Sequence, residues 1–238
     1  MIEIKGFTKI YNKTKKAVDN ISLTIEDGEI FGFIGHNGAG KTTTIKAIVG
    51  ILDFEEGDIL INGKSIKERP IECKKEIAYI PDNPDLYDTL TGISFINFMC
   101  DIYEVPKSER KSRINEYATK FNLLDNLGDE ISSYSHGMKQ KLALIAALVH
   151  KPKVLVLDEP FVGLDPKAVF DLKELMNEMC KEGVTIFFST HILDVAEKLC
   201  NRVAIIKEGR LVKVGKMEEV KGDKSLENVF LDIDKQEE

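Results

Sequence analysis

The sequence predicts an α/β fold: a mostly parallel sheet with a helical insertion, and an antiparallel β subdomain near the amino terminus. Short apolar runs, typical of strands buried on both faces, alternate with helical patterns at residues 29–52 and 154–200. Between these stretches, residues 91–150 have mainly helical periodicity. Residues 2–25 show instead the rough alternation of strands with one buried face.

Composition excludes several classes of protein. The chain has 238 residues, of which 43% are hydrophobic and 31% charged, so it can build a core without disulfides or metals. Its net charge of −7 disfavours a general nucleic-acid binder. The longest uninterrupted apolar run, residues 142–149, is far shorter than the roughly 18 residues needed to span a bilayer.

Cysteine usage and the first residues indicate the compartment. The 4 cysteines form no Cys-x-x-Cys pair, which argues against zinc and disulfide frameworks. The first residues have the pattern of a strand and lack the basic and apolar regions of a signal peptide. We therefore expect a cytoplasmic location.

In the first third of the chain, the pattern predicts strands, turns and one helix. Strands are expected at residues 2–11, 21–25, 29–34 and 58–61, with a polar turn at 12–16 and a hairpin turn at Asn62-Gly63. A helix follows the third strand, and its apolar face carries Ile45, Ile48, Val49 and Leu52.

In the remainder, helices and buried strands alternate after the helical middle. Helices are expected at residues 108–124, 138–149, 166–181 and 192–200, and strands at 154–157, 184–188, 203–206 and 211–214. The last two strands flank Glu208-Gly209 as a hairpin. The acidic tail is expected to fray after Phe230.

Residues 35–42, Gly-His-Asn-Gly-Ala-Gly-Lys-Thr, match the pattern Gly-x₄-Gly-Lys-[Ser/Thr] in full. Glycines let backbone N–H groups curl around phosphate oxygens, and the following helix points its positive end at them. Lys41 would supply charge to the β- and γ-phosphates, and the Thr42 hydroxyl can ligate Mg²⁺. A chance match is the alternative, but the motif follows a strand and opens a helix, as phosphate binding requires.

A second motif places two carboxylates at the end of an apolar strand. Residues 154–157 are Val-Leu-Val-Leu, and Asp158 and Glu159 follow. Ligands bind at the carboxyl edge of such sheets. Asp158 would hold Mg²⁺, and Glu159 would orient or deprotonate an attacking water. The alternative is a strand capped by two solvated acids.

With these motifs in place, the chain resembles the ATP-binding-cassette (ABC) ATPase family over residues 2–215. Residues 134–140, Tyr-Ser-His-Gly-Met-Lys-Gln, are similar to its signature loop and lie between the phosphate loop and the acid strand. Residues 163–165, Gly-Leu-Asp, resemble its D-loop, and residues 189–191, Ser-Thr-His, resemble the segment of its switch histidine. Tyr11 stands where the family places an adenine-stacking aromatic residue, although a core tyrosine is the alternative. The resemblance implies a P-loop NTPase core that hydrolyses ATP, with ATP and Mg²⁺ as cofactors.

The resemblance also implies roles for single residues. Ser135 and Gly137, expected just before a helix, would bind the γ-phosphate of a nucleotide held by another subunit. His191 would contact the γ-phosphate or the attacking water, with a structural histidine as the alternative. Asp165 would cross a dimer interface while also capping the next helix. The predicted catalytic residues are Lys41, Glu159 and His191; the predicted ATP ligands are Tyr11, Gly35, Asn37, Gly38, Ala39, Gly40, Lys41, Thr42, Thr43, Ser135 and Gly137.

The sequence departs from the family pattern in two loops. In the signature loop, His136 and Met138 replace the usual glycine and glutamine. The expected contacts survive both changes, because one comes from a hydroxyl and the other from a backbone amide. Residues 79–84, Tyr-Ile-Pro-Asp-Asn-Pro, resemble the Q-loop, but Asp82 replaces its glutamine. The predicted Mg²⁺ ligands are therefore Thr42, Asp158 and, as a candidate, Asp82.

The resemblance implies two protein partners. The family encloses two ATP molecules in a head-to-tail dimer, and this chain has one phosphate loop, so a second ATPase subunit is expected. A separately encoded polytopic membrane subunit would hold the chain at the inner face of the membrane. Residues 89–100 carry no charge and, with residues 82–87, form either a groove for a helix of that subunit or ordinary core. No nucleic-acid partner is expected.

We expect one ATPase domain, with the α/β core and β subdomain in residues 1–84 and 151–215, a helical subdomain at 85–150 and a tail at 216–238. The short tail leaves little room for the regulatory domain that many importers append. The Tyr-Ser-x-Gly-Met loop and the Ile-Pro-Asp variant of the Q-loop resemble exporter ATPases of the drug, bacteriocin or ABC-2 type, so the resemblance implies export. One alternative is an ABC ATPase acting on ribosomes or DNA, but a second cassette, a long coiled-coil insertion and zinc cysteines are not visible. The other is a P-loop kinase or a GTPase, and the guanine-reading Asn-Lys-x-Asp is not found.

Overall fold

A parallel sheet forms the centre of the molecule in the computed structural model, which describes residues 1–12 and 14–235. Its strands are β3 (Ile30–Ile34), β6 (Ile77–Ile80), β7 (Val154–Asp158), β8 (Thr185–Thr190), β9 (Arg202–Lys207) and β10 (Arg210–Lys216). They lie in the order β10-β9-β3-β8-β7-β6, and all neighbours are parallel except β10 and β9. The predicted α/β architecture is confirmed.

An antiparallel sheet, formed mainly by the amino-terminal part of the chain, packs on one face of this core. It contains β1 (Ile2–Tyr11), β2 (Lys15–Ile25), β4 (Glu56–Ile61) and β5 (Lys64–Ser65), in the order β2-β1-β4-β5. The predicted hairpin turn is present, and both Asn62 and Gly63 have positive φ, as a tight turn of this kind requires. Strand β2 begins earlier than predicted, which shortens the expected polar turn; Lys13 of that turn lies outside the described residues.

Helices surround the parallel sheet. They are α1 (Lys41–Ile48), α2 (Pro70–Glu76), α3 (Gly92–Ile102), α4 (Lys107–Lys120), α5 (His136–Leu148), α6 (Pro166–Lys181), α7 (Leu193–Leu199), α8 (Met217–Lys221) and α9 (Leu226–Lys235). Helices α3 to α5 lie between β6 and β7 in the chain and form the predicted helical insertion. Among the described residues, no helix combines the length and the apolar character needed to cross a membrane.

The two faces of the parallel sheet belong to different parts of the core. Ile30 and Ile34 of β3 pack in the cluster that contains the helical insertion. Phe31 and Phe33 of the same strand pack in the cluster that contains α1 and the antiparallel sheet. Because successive side chains of a strand point to opposite faces, covering both faces requires the continuous apolar runs seen in the sequence.

Two expectations are wrong in detail. The tail does not fray after Phe230, because α9 extends to Lys235 and is anchored by buried Leu226 and Val229; residues 236–238 of the tail lie outside the described residues. Gly137 does not precede its helix, because α5 begins at His136 and Gly137 lies in the first turn.

Candidate functional site

Four adjacent strands of the parallel sheet end at one edge, and each leads into a predicted site segment. In sheet order, β3 leads to the phosphate loop, β8 to His191, β7 to Glu159 and β6 to Asp82. Asp158 is paired in register with Ser189, so the acid motif and the histidine segment lie side by side. The parallel topology therefore assembles segments that are far apart in the chain.

The phosphate loop packs closely on the backbone beside it. A Cβ atom on Gly40, which has a φ of +109°, would lie 2.7 Å from the carbonyl oxygen of Ala17. A Cβ atom on Gly35 would lie 2.5 Å from the carbonyl oxygen of Ile206. Both positions therefore require glycine, one for conformation and close approach and the other for close approach alone.

Lys41 lies inside this loop. Its Nζ donates to the carbonyl oxygens of Gly35 at 2.6 Å and His36 at 3.3 Å. The same atom is 3.5 Å from Oε1 of Glu159, and the Lys41 residue is 6% exposed. The loop thus holds a buried positive charge beside the acid motif, where it can bind phosphate oxygens.

Glu159 and His191 form a close pair. Oε2 of Glu159 is 2.9 Å from Nδ1 of His191 and accepts a hydrogen bond from the His191 backbone N–H at 3.2 Å. Oε1 of Glu159 is buried and has no hydrogen-bond partner among the described residues. The carboxylate is thus held on one side, while its other oxygen can accept a proton or bind water.

A cavity of about 880 Å³ lies over these strand ends. The predicted residues that line it are Tyr11, Asn37, Gly38, Gly40, Lys41, Thr42, Thr43, Asp82, Asp158 and Glu159. Residues that sequence reasoning missed also line it: Asn12, Lys15, Lys16, Ala17, His36 and Glu208. The signal that could have found Lys15 and Lys16 is their positive charge a few residues after Tyr11, the proposed adenine-stacking residue.

Tyr11 lies at the edge of the cavity and is not a core residue. It is 38% exposed, and Nζ of Lys9 lies 5.5 Å from the centroid of its ring. An exposed aromatic face beside the phosphate loop is suited to stack on a planar base.

The signature loop and the D-loop do not line this cavity; they contact each other elsewhere on the surface. Ser135 caps α5 by accepting the Met138 N–H at 3.3 Å. Asp165 caps α6 by accepting the Ala168 N–H at 2.9 Å, and it also pairs with Lys141 at 2.9 Å. Both capping residues are exposed, so each can meet a second molecule.

Asp82 adds a third carboxylate to the cavity. Partial desolvation of its carboxyl group, followed by the nearby charges of Asp158 and Glu159, raises the pKa of Asp82. Burial, with a contribution from the same group of acids, also raises the pKa of Tyr79 to about 12. The cavity therefore carries concentrated negative charge opposite Lys41, which a bound cation would relieve.

The donor set fits magnesium. Mg²⁺ prefers hydroxyl and carboxylate oxygens and takes its remaining ligands from water and substrate phosphates. Thr42, Asp158 and Asp82 line the same cavity and supply such oxygens. Oε1 of Glu159, which is buried and accepts no hydrogen bond from the described residues, lies in the same region.

Comparison with known proteins gives matches over nearly the whole chain. Residues 18–162 match the family model described as ABC transporter. The ABC-type transporter ATP-binding protein EcsA of Bacillus subtilis (strain 168) is 34% identical, over 100% of this chain and 98% of its own length. A solved structure described as an ATP-binding subunit of an ABC transporter has a TM-score of 0.94 at 32% identity and covers 98% of this chain and 99% of the other.

A second solved structure adds a functional state. It is the dimeric, post-hydrolysis form of the ATP-binding cassette MJ0796, bound to ADP and Pi. Its TM-score is 0.80 at 25% identity, and the match covers 91% of this chain and 99% of that cassette.

Proposed function

This chain belongs to the ABC transporter family as an ATP-binding, ATP-hydrolysing subunit, and from that premise we propose how its own residues do the work. The observation that carries the proposal is the convergence of Lys41, Glu159 and His191 at one sheet edge. In this proposal, Glu159 orients or deprotonates the water that attacks the γ-phosphate. His191 holds the Glu159 carboxylate and contacts the γ-phosphate or the water. Lys41 neutralises charge on the β- and γ-phosphates.

The nucleotide is proposed to lie along the cavity from Tyr11 to the phosphate loop. Its adenine would stack on Tyr11. Its phosphate oxygens would accept hydrogen bonds from backbone N–H groups of the loop and of the amino end of α1. The proposal places Lys15 and Lys16 near the nucleotide, because both line the same cavity. Thr42, Asp158 and Asp82 would hold Mg²⁺, which neutralises phosphate charge when it is bound.

We propose that two ATPase subunits act together. Ser135 and Asp165 are exposed and lie outside the cavity of their own chain, which supports their use on the nucleotide and surface of a second subunit. The N–H groups at the start of α5, including that of Gly137, would bind a γ-phosphate across the interface. The dimeric cassette among the similar structures is consistent with such an arrangement.

The transport partner is proposed to be a separately encoded polytopic membrane subunit that places this chain at the inner face of the membrane, with export as the direction. The exporter-like signature loop supports the direction. The similar proteins are transporter ATP-binding subunits, so action on ribosomes or DNA is not retained.

The Glu159→Gln variant tests the proposed chemistry. Glutamine keeps the size of the side chain and removes its basicity, so we expect ATP binding to persist and phosphate release to fall at least about a hundredfold. ATP should then trap a dimer, measured by light scattering coupled to size-exclusion chromatography. Glu174→Gln on the exposed face of α6 is the matched control and should hydrolyse ATP normally. Normal phosphate release by Glu159→Gln would contradict the assignment.

A further inference from the structure

Ser189 lies between the two acids of the site. It is fully buried near the end of β8 and paired in register with Asp158 of β7. Its Oγ donates a hydrogen bond to Oδ1 of Asp158 at 2.5 Å. The same Oγ accepts the backbone N–H of Glu159 at 3.1 Å, and the Ser189 carbonyl oxygen accepts that N–H at 3.2 Å.

These contacts lie at a residue with a strained backbone conformation. Glu159 has a φ of 49°, in the left-handed region that residues with side chains rarely adopt. Such a conformation persists only where the surroundings impose it. Here the hydroxyl and the carbonyl oxygen of Ser189 both accept the Glu159 N–H, at the first residue after β7.

The orientation of Asp158 depends on the same hydroxyl. Asp158 is only 3% exposed, so water does little to orient its carboxylate. A short hydrogen bond to Oδ1 restricts rotation of the carboxylate and leaves Oδ2 as an acceptor in a residue that lines the cavity. One buried hydroxyl therefore connects to both acids, to one through the side chain and to the other through the backbone.

We propose that Ser189 is a positioning residue, whose hydroxyl aligns Asp158 for magnesium and Glu159 for the attacking water. This inference rests on the proposed roles of those two acids. Ser189 itself touches neither substrate nor metal in this assignment. Its effect passes through the geometry of its two neighbours.

The chain offers a matched control on the same strand. Thr185 is also fully buried, is four residues before Ser189 and projects to the same face of β8. Its hydroxyl interacts with Asp27, the Glu26 carbonyl and the amino terminus, at the opposite end of the strand. Loss of either hydroxyl removes buried hydrogen bonds, but of these two residues only Ser189 contacts Asp158 and Glu159.

The test compares Ser189→Ala with Thr185→Ala in the full chain. ATP affinity is measured by calorimetry with Mg²⁺ and with a chelator, and kcat and KM are measured over a range of Mg²⁺ concentrations. For Ser189→Ala we expect about a tenfold loss of kcat and about a tenfold higher Mg²⁺ requirement, since a hydrogen bond to a charged group is lost. Its ATP affinity in chelator should equal that of the wild type. Thr185→Ala should keep the wild-type Mg²⁺ requirement.

The possible results separate this inference from the proposed function. A Ser189→Ala protein with wild-type Mg²⁺ dependence and kcat, or one that changes only as Thr185→Ala does, would overturn the role of Ser189. If the ATP affinity and turnover of the wild-type protein do not depend on Mg²⁺, the proposed metal site is wrong, and this inference is wrong with it. If Ser189→Ala does not fold, Ser189→Cys, which retains a weak donor, is measured in the same way. Its kcat and Mg²⁺ requirement should lie between the wild-type values and those expected for complete loss of the hydrogen bond.

Discussion

At the scale of single residues, buried ionisable groups are charged and paired inside the nucleotide cavity, whereas a buried histidine outside it is kept neutral. Inside it, the buried Lys41 ammonium lies against the Glu159 carboxylate, and Glu159 also meets His191. Outside it, His150 stacks on Tyr103 with ring centroids 3.8 Å apart and an interplanar angle of 10°. Burial lowers the pKa of His150 from 6.5 to about 4, the backbone of Ile77 opposing this only in part. His150 is therefore neutral in the folded protein at neutral pH.

His150 predicts a pH dependence of stability. Between pH 6.5 and 4 the unfolded chain binds a proton at this residue that the folded chain does not, so the free energy of unfolding decreases as pH falls. From pH 7 to 5 the loss from this one group is about 2 kcal/mol. His150→Phe keeps an aromatic ring on Tyr103 and removes the titration. Urea unfolding at the two pH values should show a smaller loss for the variant.

The comparison with His150→Phe isolates this residue. Carboxyl groups such as Glu76 and Asp27 have lowered pKa values, so their stabilisation is present above their unfolded pKa and is lost only at lower pH. Their contribution is shared by both proteins and cancels in the difference. Equal losses for the wild type and the variant would contradict the prediction.

At the scale of elements, α9 links the carboxyl-terminal part of the chain to the phosphate loop. Its first residue, Leu226, is fully buried, and the Leu226 N–H donates to Glu197 of α7 at 2.9 Å. Near its end, Oδ2 of Asp234 is 2.7 Å from Nε2 of His36, and the Phe230 ring meets the His36 ring edge-on at 4.6 Å. The acidic composition of the tail had predicted fraying, but the apolar side of α9 is covered by the core.

Leu226→Ala tests the anchoring of α9. Removing a fully buried leucine side chain should lower the free energy of unfolding by about 2–5 kcal/mol. The matched control is Leu231→Ala in the same helix, where the side chain is 47% exposed. Its effect should stay within about 0.5 kcal/mol. Chemical denaturation of both variants measures the difference, and equal effects would show that α9 is not anchored through Leu226.

At the scale of the whole molecule, the helical insertion presents an aromatic surface beside the Q-loop. In segment 89–100, Phe95, Ile96 and Cys100 are buried as core residues, whereas Phe98 is 43% exposed, and the expected docking groove stays a prediction. Phe98 meets the exposed ring of Tyr87 edge-on at 6.0 Å. A smaller apolar cavity lies beside them, lined by residues that include Leu86, Phe95 and Met99. The buried residues of the segment form core, and the exposed aromatic rings are the surface that the proposed membrane subunit would contact.

Phe98→Asp separates docking from folding. We expect a folded protein that hydrolyses ATP but no longer co-purifies with the proposed polytopic membrane subunit from gently solubilised membranes. A charge on an apolar docking surface costs binding, while an exposed position tolerates it. Ile96→Asp, at a fully buried position two residues away, should fail to fold. An unfolded Phe98→Asp protein would assign Phe98 to the core instead.

Short-range patterns in the sequence determined the fold class and the candidate motifs. Residues 35–42 and 154–159 are contiguous, and the chemistry of each depends on residue type and spacing. The rule that ligands bind at the carboxyl edge of a parallel sheet then sufficed to predict that these motifs meet. The family resemblance supplied the remaining candidates.

The tertiary structure alone decided which atoms face one another. The Ser189 hydroxyl meets Asp158, Lys15 and Lys16 line the nucleotide cavity, and α9 reaches His36. Each of these contacts joins parts of the chain that are distant in sequence. Local periodicity reports which face of an element is buried, whereas the partner on that face is set by sheet order, register and packing.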